Sequence, residues 1–140
     1  MGGKIYTPLG TWYHATNHAV EGWSDCLRLE LSPFNIDVVI IEPGAIATEF
    51  ATVMIEPMIK RSGKGLYSRM AHAVAVTTQT GVEKGDLSDV QVIVNLILRA
   101  VRARKPKTRY VAGKYANLMI FVRKWFGDRM FDRMVLSVVK

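Results

Sequence analysis

The stretch Ile-Asp-Val-Val-Ile-Ile-Glu-Pro-Gly, residues 36–44, decides the fold of this chain. Its first six residues are mostly β-branched and apolar, which is typical of a strand buried on both faces of a parallel sheet. Pro43 lacks a backbone donor and Gly44 permits a sharp turn, so we expect the strand to stop at residues 42–44. Because ligands in open α/β sheets bind beyond the carboxyl ends of the strands, the loop after Ile41 is a candidate site.

The segment before this strand has the period of an amphipathic helix. From Trp12 to Leu31, apolar residues recur at steps of three and four, which predicts a helix whose apolar stripe faces a core. The stripe consists of Trp12, Ala15, Ala19, Trp23, Leu27 and Leu31. Ser32-Pro33 should end the helix, because proline disfavours helical geometry in the residue before it. A helix followed by a buried strand is half of an α/β repeat.

Residues 49–80, which follow the strand, are moderately helical and are interrupted at Gly63 and Gly65. Two interpretations stay open for them: a mobile cover over a site, or an ordinary pair of surface helices. Residues 86–104 predict a strong helix that ends in arginines suited to the helix dipole. Its expected buried face consists of Val90, Ile93, Val94, Ile97, Leu98 and Val101.

The C-terminal part of the chain predicts one more strand and a helical tail. Residues 108–112 form a short strand that Gly113 ends. Residues 114–140 form an amphipathic tail of two helices broken at Gly127. The tail suits core packing or a subunit interface, and it also suits a helix lying in a membrane surface.

Composition limits the class of protein. The chain has 140 residues and a mass of 15.7 kDa, a length that corresponds to one domain or part of one. Its 49% hydrophobic and 22% charged residues exclude wholesale disorder. A lone cysteine, Cys26, excludes an internal disulfide, and no Cys/His cluster has zinc-ligand spacing. Without an apolar signal segment at the N-terminus, a reducing, cytoplasmic setting is expected.

Charge is distributed unevenly along the chain. Residues 99–140 carry 12 Lys/Arg against 2 Asp/Glu, a net charge of +10, whereas the whole chain has +7. Such asymmetry is typical of a solvated face, an anionic membrane surface or a nucleic-acid surface. The arginines of the 86–104 helix are explained by the helix dipole and no recognition motif is present, so no nucleic-acid partner is expected.

Two short motifs carry the chemistry. Tyr13-His14-Ala15-Thr16-Asn17 opens the first helix, and Pro43-Gly44-Ala45-Ile46-Ala47-Thr48 follows the buried strand. Together, in this order and at this separation, they resemble the short-chain dehydrogenase/reductase family. That resemblance implies the C-terminal half of a Rossmann-like, doubly wound parallel sheet, an α/β fold in which helices dominate this part. It also implies an NAD(P)-dependent oxidoreductase that interconverts an alcohol and a carbonyl.

The resemblance assigns roles to individual residues. Tyr13 would donate or accept the proton while hydride moves to or from the nicotinamide of NAD or NADP. Pro43 and Gly44 would bring the backbone close to that ring, the main chain of Ile46 would meet the carboxamide, and the Thr48 hydroxyl would bond cofactor oxygens. Positions four apart share a helix face, so Asn17 lies beside Tyr13 as a catalytic and cofactor-binding candidate.

Three departures from the family pattern qualify these roles. The residue four positions after Tyr13 is a lysine in the family, and Asn17 brings no charge to lower a tyrosine pKa that is ordinarily near 10. The catalytic serine of the family would fall just before Met1. The glycine-rich loop that receives the pyrophosphate is absent. We therefore expect one partial domain over residues 1–140 with lost or impaired activity; the alternative is a non-catalytic fragment or pseudoenzyme that acts as an interaction or oligomerisation module.

The remaining expectations concern partners and ligands. The resemblance implies a small alcohol or ketone substrate covered by residues 49–80, and it implies homo-oligomerisation through the 12–31 and 86–104 helices. Peripheral membrane contact through the basic tail stays open. No metal is expected, and the three histidines are expected to be structural. They are His14, His18 and His72.

Overall fold

The computed structural model describes residues 1–139, which form five helices and two short strands. In chain order they are α1 (Thr11–Leu31), β1 (Ile40–Pro43), α2 (Phe50–Ser62), α3 (Ser68–Glu83), α4 (Gln91–Arg102), β2 (Arg109–Ala112) and α5 (Ala116–Val138), with one 3-10 turn at Ser32–Phe34 after α1. This order of helices and strands confirms the expected α/β class. No helix of residues 1–139 is long and apolar enough to cross a bilayer.

The two strands pair in parallel, as the apolar run predicted. Ile40 lies opposite Arg109 and Pro43 opposite Ala112, and the Gly44 amide extends the pairing by donating to the Ala112 carbonyl at 2.7 Å. The strand begins at Ile40 rather than Ile36 and includes Pro43, which corrects the expected boundaries. The physical reason is that β2 offers only four residues to pair with.

Burial of β1 on both faces was also a wrong prediction for this chain. Ile36 is 51% exposed, and Val38 to Ile41 are only half-buried. A two-stranded sheet cannot cover both faces of a strand, so its apolar side chains stay partly open to water. The one buried side chain of β1 is Glu42, at 3% exposure.

The apolar stripe of α1 does not face a core. Trp12 is 84% and Trp23 is 65% exposed, whereas the buried residues of α1 are His14, Glu21 and Ser24, on another side of the helix. Polar groups of the N-terminal loop and of β2 bind that side. The helix was therefore predicted correctly, and the side on which it packs was not.

The apolar face of α4 is likewise left open. Of the six residues expected to be buried, Ile93 is half-buried and the others are exposed, Val101 by 77%. The buried residue of α4 is Ala100, and the helix rests on both strands through that side. The expected burial of this face is thus wrong within residues 1–139, because no element there lies over it.

The apolar core forms where the N-terminal loop meets the tail. Ile5 packs with Phe131 and Val135, and five half-buried residues surround them: Met1, Tyr6, Met119, Val122 and Met134. The predicted break at Gly127 is confirmed, since this residue has φ 71° and ψ −177° inside α5. The other predicted helical segment, residues 49–80, is the paired α2 and α3.

Candidate active site

The structure brings Tyr13 to the end of the loop that follows β1. The Tyr13 ring lies 5.4 Å from the ring of Phe50, centroid to centroid, at the start of α2 and two residues after Thr48. Tyr13 is 47% exposed. The tyrosine of the first motif therefore lies beside a residue that follows the second motif by two positions.

Asn17 lies on the same face as Tyr13, and its side-chain amide is hydrogen-bonded to the backbone of its own helix. Its Nδ2 donates to the Tyr13 carbonyl at 2.7 Å, which leaves the side-chain oxygen as its acceptor toward a ligand. Gly2 covers both residues, since a Cβ at that position would lie 3.3 Å from the Tyr13 hydroxyl and from Asn17 Cγ. The N-terminal loop thus forms one wall of this surface.

The loop at residues 43–48 is fixed by the chain segments around it. Ser88 donates its amide to the Ala45 carbonyl at 2.9 Å and accepts from the Ala47 amide at 2.8 Å. This parallel bridge pairs Ser88 with Ile46, so the amide and carbonyl of Ile46 point away from Ser88. Thr48 is exposed, and its hydroxyl oxygen accepts a 3.4 Å hydrogen bond from the Phe50 amide.

Pro43 and Gly44 are held by packing within the chain. The Pro43 carbonyl accepts from the N-terminal amine of Met1 at 2.7 Å. A Cβ on Gly44 would lie 2.8 Å from the Gly113 carbonyl oxygen and would also clash with the Lys114 carbonyl. Glycine at position 44 is thus required by the close approach of the chain after β2, whatever else it does.

The histidines are structural where hydrogen bonds fix them. His14 is buried, with Nε2 3.0 Å from the Thr7 hydroxyl and Nδ1 2.9 Å from the Gly2 carbonyl. His18 bonds the His14 carbonyl at 2.8 Å, and His72 bonds the Ser68 carbonyl at 2.8 Å. Within residues 1–139, no three potential ligands come together to hold a metal ion.

Sequence reasoning missed a buried cluster of charges on the same face of α1. Glu21 and Asp25 continue the four-residue spacing of Tyr13 and Asn17, and both bind Arg109 of β2. Arg109 Nε donates to Glu21 Oε2 at 3.1 Å, and Nη2 donates to Asp25 Oδ2 at 2.7 Å. One face of α1 therefore carries the candidate site near its N-terminus. Further along, the same face carries the acidic residues that bind α1 to β2.

Glu42 closes this cluster from the end of β1. Its Oε1 has no hydrogen-bond partner and lies 3.4 Å from Arg109 Nε and 3.9 Å from Lys4 Nζ, while Lys4 binds Glu21 at 2.8 Å. The signal in the sequence was an acidic residue at the end of an apolar strand. Its meaning depended on an arginine 67 positions later in the chain, which spacing alone does not reveal.

The acids of this charge cluster titrate differently from one another. Burial, reinforced by the neighbouring Glu21 carboxyl, raises the pKa of Glu42 above its usual value. Burial opposes the charged form of Glu21, but hydrogen bonds that include those of Lys4 and Arg109 hold its pKa below the usual value. The Arg109 and Arg28 guanidinium groups lower the pKa of Asp25 to about 2.

A separate cavity lies between the two helices that follow the site. It has a volume of about 900 Å³ and is open to solvent. Its walls combine apolar and charged side chains of α2 and α3, among them Ile55, Ile59, Lys60, Val82 and Glu83. Tyr13 is not among the lining residues, so the cavity and the tyrosine surface are distinct features of this structure.

Comparison with known proteins agrees with the motifs. A family model described as short chain dehydrogenase matches residues 1–58, which include α1, β1 and the loop after it. A probable short-chain type dehydrogenase/reductase of Helicobacter pylori, VdlC, is 29% identical over 127 residues, covering 91% of this chain and 45% of the relative. Dehydrogenase/reductase SDR family member 7B of Xenopus laevis is 31% identical over 121 residues, covering 86% of this chain and 32% of the relative.

A third relative carries a cofactor in its name. An NADPH-dependent 3-dehydrocapnine reductase of Ornithobacterium rhinotracheale is 28% identical over 141 aligned residues, which cover 99% of this chain and 48% of the relative. The chain thus spans about half the length, or less, of the curated relatives named here. Together with the parallel α/β fold, these similarities support the resemblance of the chain to the short-chain dehydrogenase/reductase family.

Proposed function

We propose that this chain supplies the nicotinamide end of an NAD(P)-dependent oxidoreductase site, together with the tyrosine that transfers a proton. The observation that carries the proposal is the convergence of Tyr13 with Phe50 at the end of the 43–48 loop, with centroids 5.4 Å apart. The resemblance to this family supports the reaction class, an interconversion of a small alcohol and its ketone or aldehyde. The name of the Ornithobacterium relative is compatible with NADP, and either cofactor fits the residues of this chain.

The polar groups present fit the nicotinamide end of the cofactor. The Ile46 main chain is directed away from Ser88, the Thr48 hydroxyl is exposed, and Asn17 keeps a free side-chain oxygen after bonding its own helix. These groups would hold the carboxamide and ribose. When bound, the nicotinamide supplies or accepts the hydride.

Tyr13 would give a proton to the substrate oxygen in reduction and take it back in oxidation. A free tyrosine has a pKa near 10, so an efficient transfer at neutral pH needs a neighbouring cation. Asn17 is uncharged and donates to the Tyr13 carbonyl. We therefore propose impaired catalysis by this chain, and a non-catalytic interaction module is the second candidate.

Replacing Asn17 by lysine separates the two candidates. If only the missing charge limits the chain, Asn17→Lys should raise NAD(P)H-dependent reduction of a ketone panel on the order of a hundredfold, the scale of general acid–base catalysis. Adding Tyr13→Phe should abolish the gain. Asn117→Lys is the matched control, because Asn117 is exposed on α5 and receives the same charge away from the site.

The outcome decides between an enzyme and a module. Rates that stay at the level of the Asn117→Lys control would favour the non-catalytic interpretation. A gain that survives Tyr13→Phe would remove Tyr13 from the proton transfer. Circular dichroism of each variant shows whether the fold is kept.

The wider assignments belong to the same proposal. We propose that residues 49–80 cover the substrate, that the exposed faces of α1 and α4 associate with further copies of the chain, and that the protein works in a reducing, cytoplasmic setting. The exposed apolar side chains of both helices support association. An exposed free thiol, Cys26, is compatible with reducing conditions.

A further inference from the structure

The first half of α5 presents an exposed face rich in aromatic residues. Leu118, Phe121 and Trp125, spaced by three and four positions, are 58%, 52% and 67% exposed. Phe126 joins them at 55% exposure, and its ring lies 6.0 Å from that of Phe121. We call these four residues the aromatic face.

The adjacent side of the same helix is already packed. Met119 and Val122 surround the core formed by Ile5 and Phe131, and Arg123 lies over the Tyr6 ring at 5.2 Å from its centroid. The helix is thereby anchored with its aromatic face turned to solvent. Nothing within residues 1–139 lies over that face.

One cation, Lys124, borders the aromatic face and forms no ion pair within residues 1–139. Lys124 Nζ lies 5.5 Å from the centroid of the Trp125 ring. Asp128 is paired with Arg123, and Asp132 accepts a 2.9 Å hydrogen bond from the Tyr6 hydroxyl. No ion pair within residues 1–139 uses Lys124, Arg129 or Arg133.

This composition distinguishes the aromatic face from the other open faces. The open face of α4 is aliphatic, which suits packing against protein. Tryptophan and lysine together suit the boundary of a bilayer, where indole rings lie at the headgroup level and cations meet anionic lipids. Two copies paired through the aromatic face would instead bring the Lys124 ammonium groups of both copies into one interface, where they repel each other.

We propose that the aromatic face, with Lys124, docks the protein on an anionic membrane surface. The apolar rings enter the boundary between headgroups and acyl chains, and Lys124 binds lipid phosphate and carboxylate groups. The attachment is peripheral and does not depend on catalysis, so it can be tested without an active site.

The three tryptophans allow a direct test on the 140-residue chain. A variant with Trp12→Phe and Trp23→Phe keeps only Trp125, and a variant with Trp12→Phe and Trp125→Phe keeps only Trp23, which is 65% exposed against 67% for Trp125. Each is mixed with phosphatidylcholine vesicles that contain about a third phosphatidylserine, and with phosphatidylcholine vesicles alone. Emission of Trp125 should shift to shorter wavelength and be quenched by brominated acyl chains only with anionic vesicles.

Further variants measure the two contributions. Phe121→Gln with Leu118→Gln should weaken partitioning at least about tenfold, because apolar area no longer enters the lipid. Lys124→Gln should weaken it about fivefold, and salt near ~1 M should release the protein. The Trp23 reporter should stay unchanged by vesicles throughout.

Three results would overturn the proposal. The first is a chain that does not bind anionic vesicles although circular dichroism shows it folded. The second is an equal spectral shift of Trp23 and Trp125, which indicates general adsorption. The third is a concentration-dependent shift of Trp125 without vesicles that Phe121→Gln removes, because the face would then be a contact between copies of the chain.

Discussion

At the scale of single residues, the buried carboxyl group of Glu42 is the most consequential feature outside the motifs. It lies between Lys4 and Arg109 without a hydrogen bond to either, and next to the Glu21 carboxyl. Two neighbouring carboxyl groups with limited access to water do not both ionise readily. Glu42 is the member of the pair that keeps its proton to higher pH.

Glu42→Gln should therefore change how stability depends on pH. The pKa of Glu42 is higher in the folded than in the unfolded protein. Its contribution to stability is therefore complete below the unfolded pKa of about 4.5, and it is lost as pH rises through the higher folded pKa. Glutamine keeps the shape of the side chain without a charge. The free energy of unfolding of the variant should therefore exceed that of the wild type by about 1 kcal/mol at neutral pH. Urea unfolding between pH 4 and pH 8 measures the difference.

Glu30→Gln is the control for this experiment, because Glu30 is exposed on the same helix that carries Glu21. Its effect should be small and almost independent of pH. A Glu42→Gln variant that loses stability relative to the wild type as pH rises would show that Glu42 is ionised and paired with Arg109 or Lys4 instead.

The same residue scale shows what sequence could and could not predict. The four-residue spacing placed Tyr13 and Asn17 on one face of α1, as the structure confirms. It could not reveal that Asn17 bonds back to the Tyr13 carbonyl, or that Glu21 and Asp25 meet Arg109. The contacts of Arg109 join residues 84 and 88 positions apart, and a local pattern carries no information on them.

At the scale of elements, the turn after β1 depends on how closely it passes the end of β2. Gly44 has no room for a Cβ beside the Gly113 and Lys114 carbonyls. At Gly22, in the middle of α1, an added Cβ would have no neighbouring atom within 4 Å. The two glycines therefore serve opposite roles, one required by packing and one that only adds freedom to the unfolded chain.

Alanine at each position should shift stability in opposite directions. Gly44→Ala should lower the free energy of unfolding by about 1–3 kcal/mol, because the backbone after β2 must move. Gly22→Ala should raise it by about 0.5–1 kcal/mol through helix propensity. Thermal unfolding followed by circular dichroism measures both; equal effects of the two substitutions would contradict the close packing of the turn.

The sequence predicted where helices and strands form better than it predicted which side of each helix is buried. The periods and breakers predicted each helix, β2 to within a residue, and the interruption at Gly127. The predictions of which sides of α1 and α4 are buried were wrong. An apolar stripe shows which side of a helix is suited to burial, but other elements must pack against that side to bury it. Residues 1–139 provide none for Trp23 or Val101.

At the scale of the whole molecule, the chain exposes more surface than a compact monomer of its mass. Its accessible area is 10022 Å², whereas a compact 15.7 kDa protein has about 7300 Å². Both strands also keep an unpaired edge. The excess is comparable to one side of a large protein interface, so the molecule is suited to association.

Self-association through α4 is the consequence to test. Ile97→Gln with Val101→Gln should weaken it at least about tenfold, since it removes apolar contacts from an open helix face. Val76→Gln is the control, because Val76 is 65% exposed on α3. Sedimentation velocity over a range of concentrations gives the association constants, and a monomer at all concentrations would contradict this use of α4.

Titration of the 15N-labelled chain with NADH and NADPH shows whether Tyr13 and the 43–48 loop form the nicotinamide end of a cofactor site. We predict saturable shifts of the Ile46 and Thr48 amides and the Asn17 side chain, with a dissociation constant on the order of 1 mM for this part of the site. Thr48→Ala should weaken binding by about tenfold, and Thr108→Ala, immediately before β2, should not. Shifts that do not saturate, or that are equal in both variants, would contradict the claim.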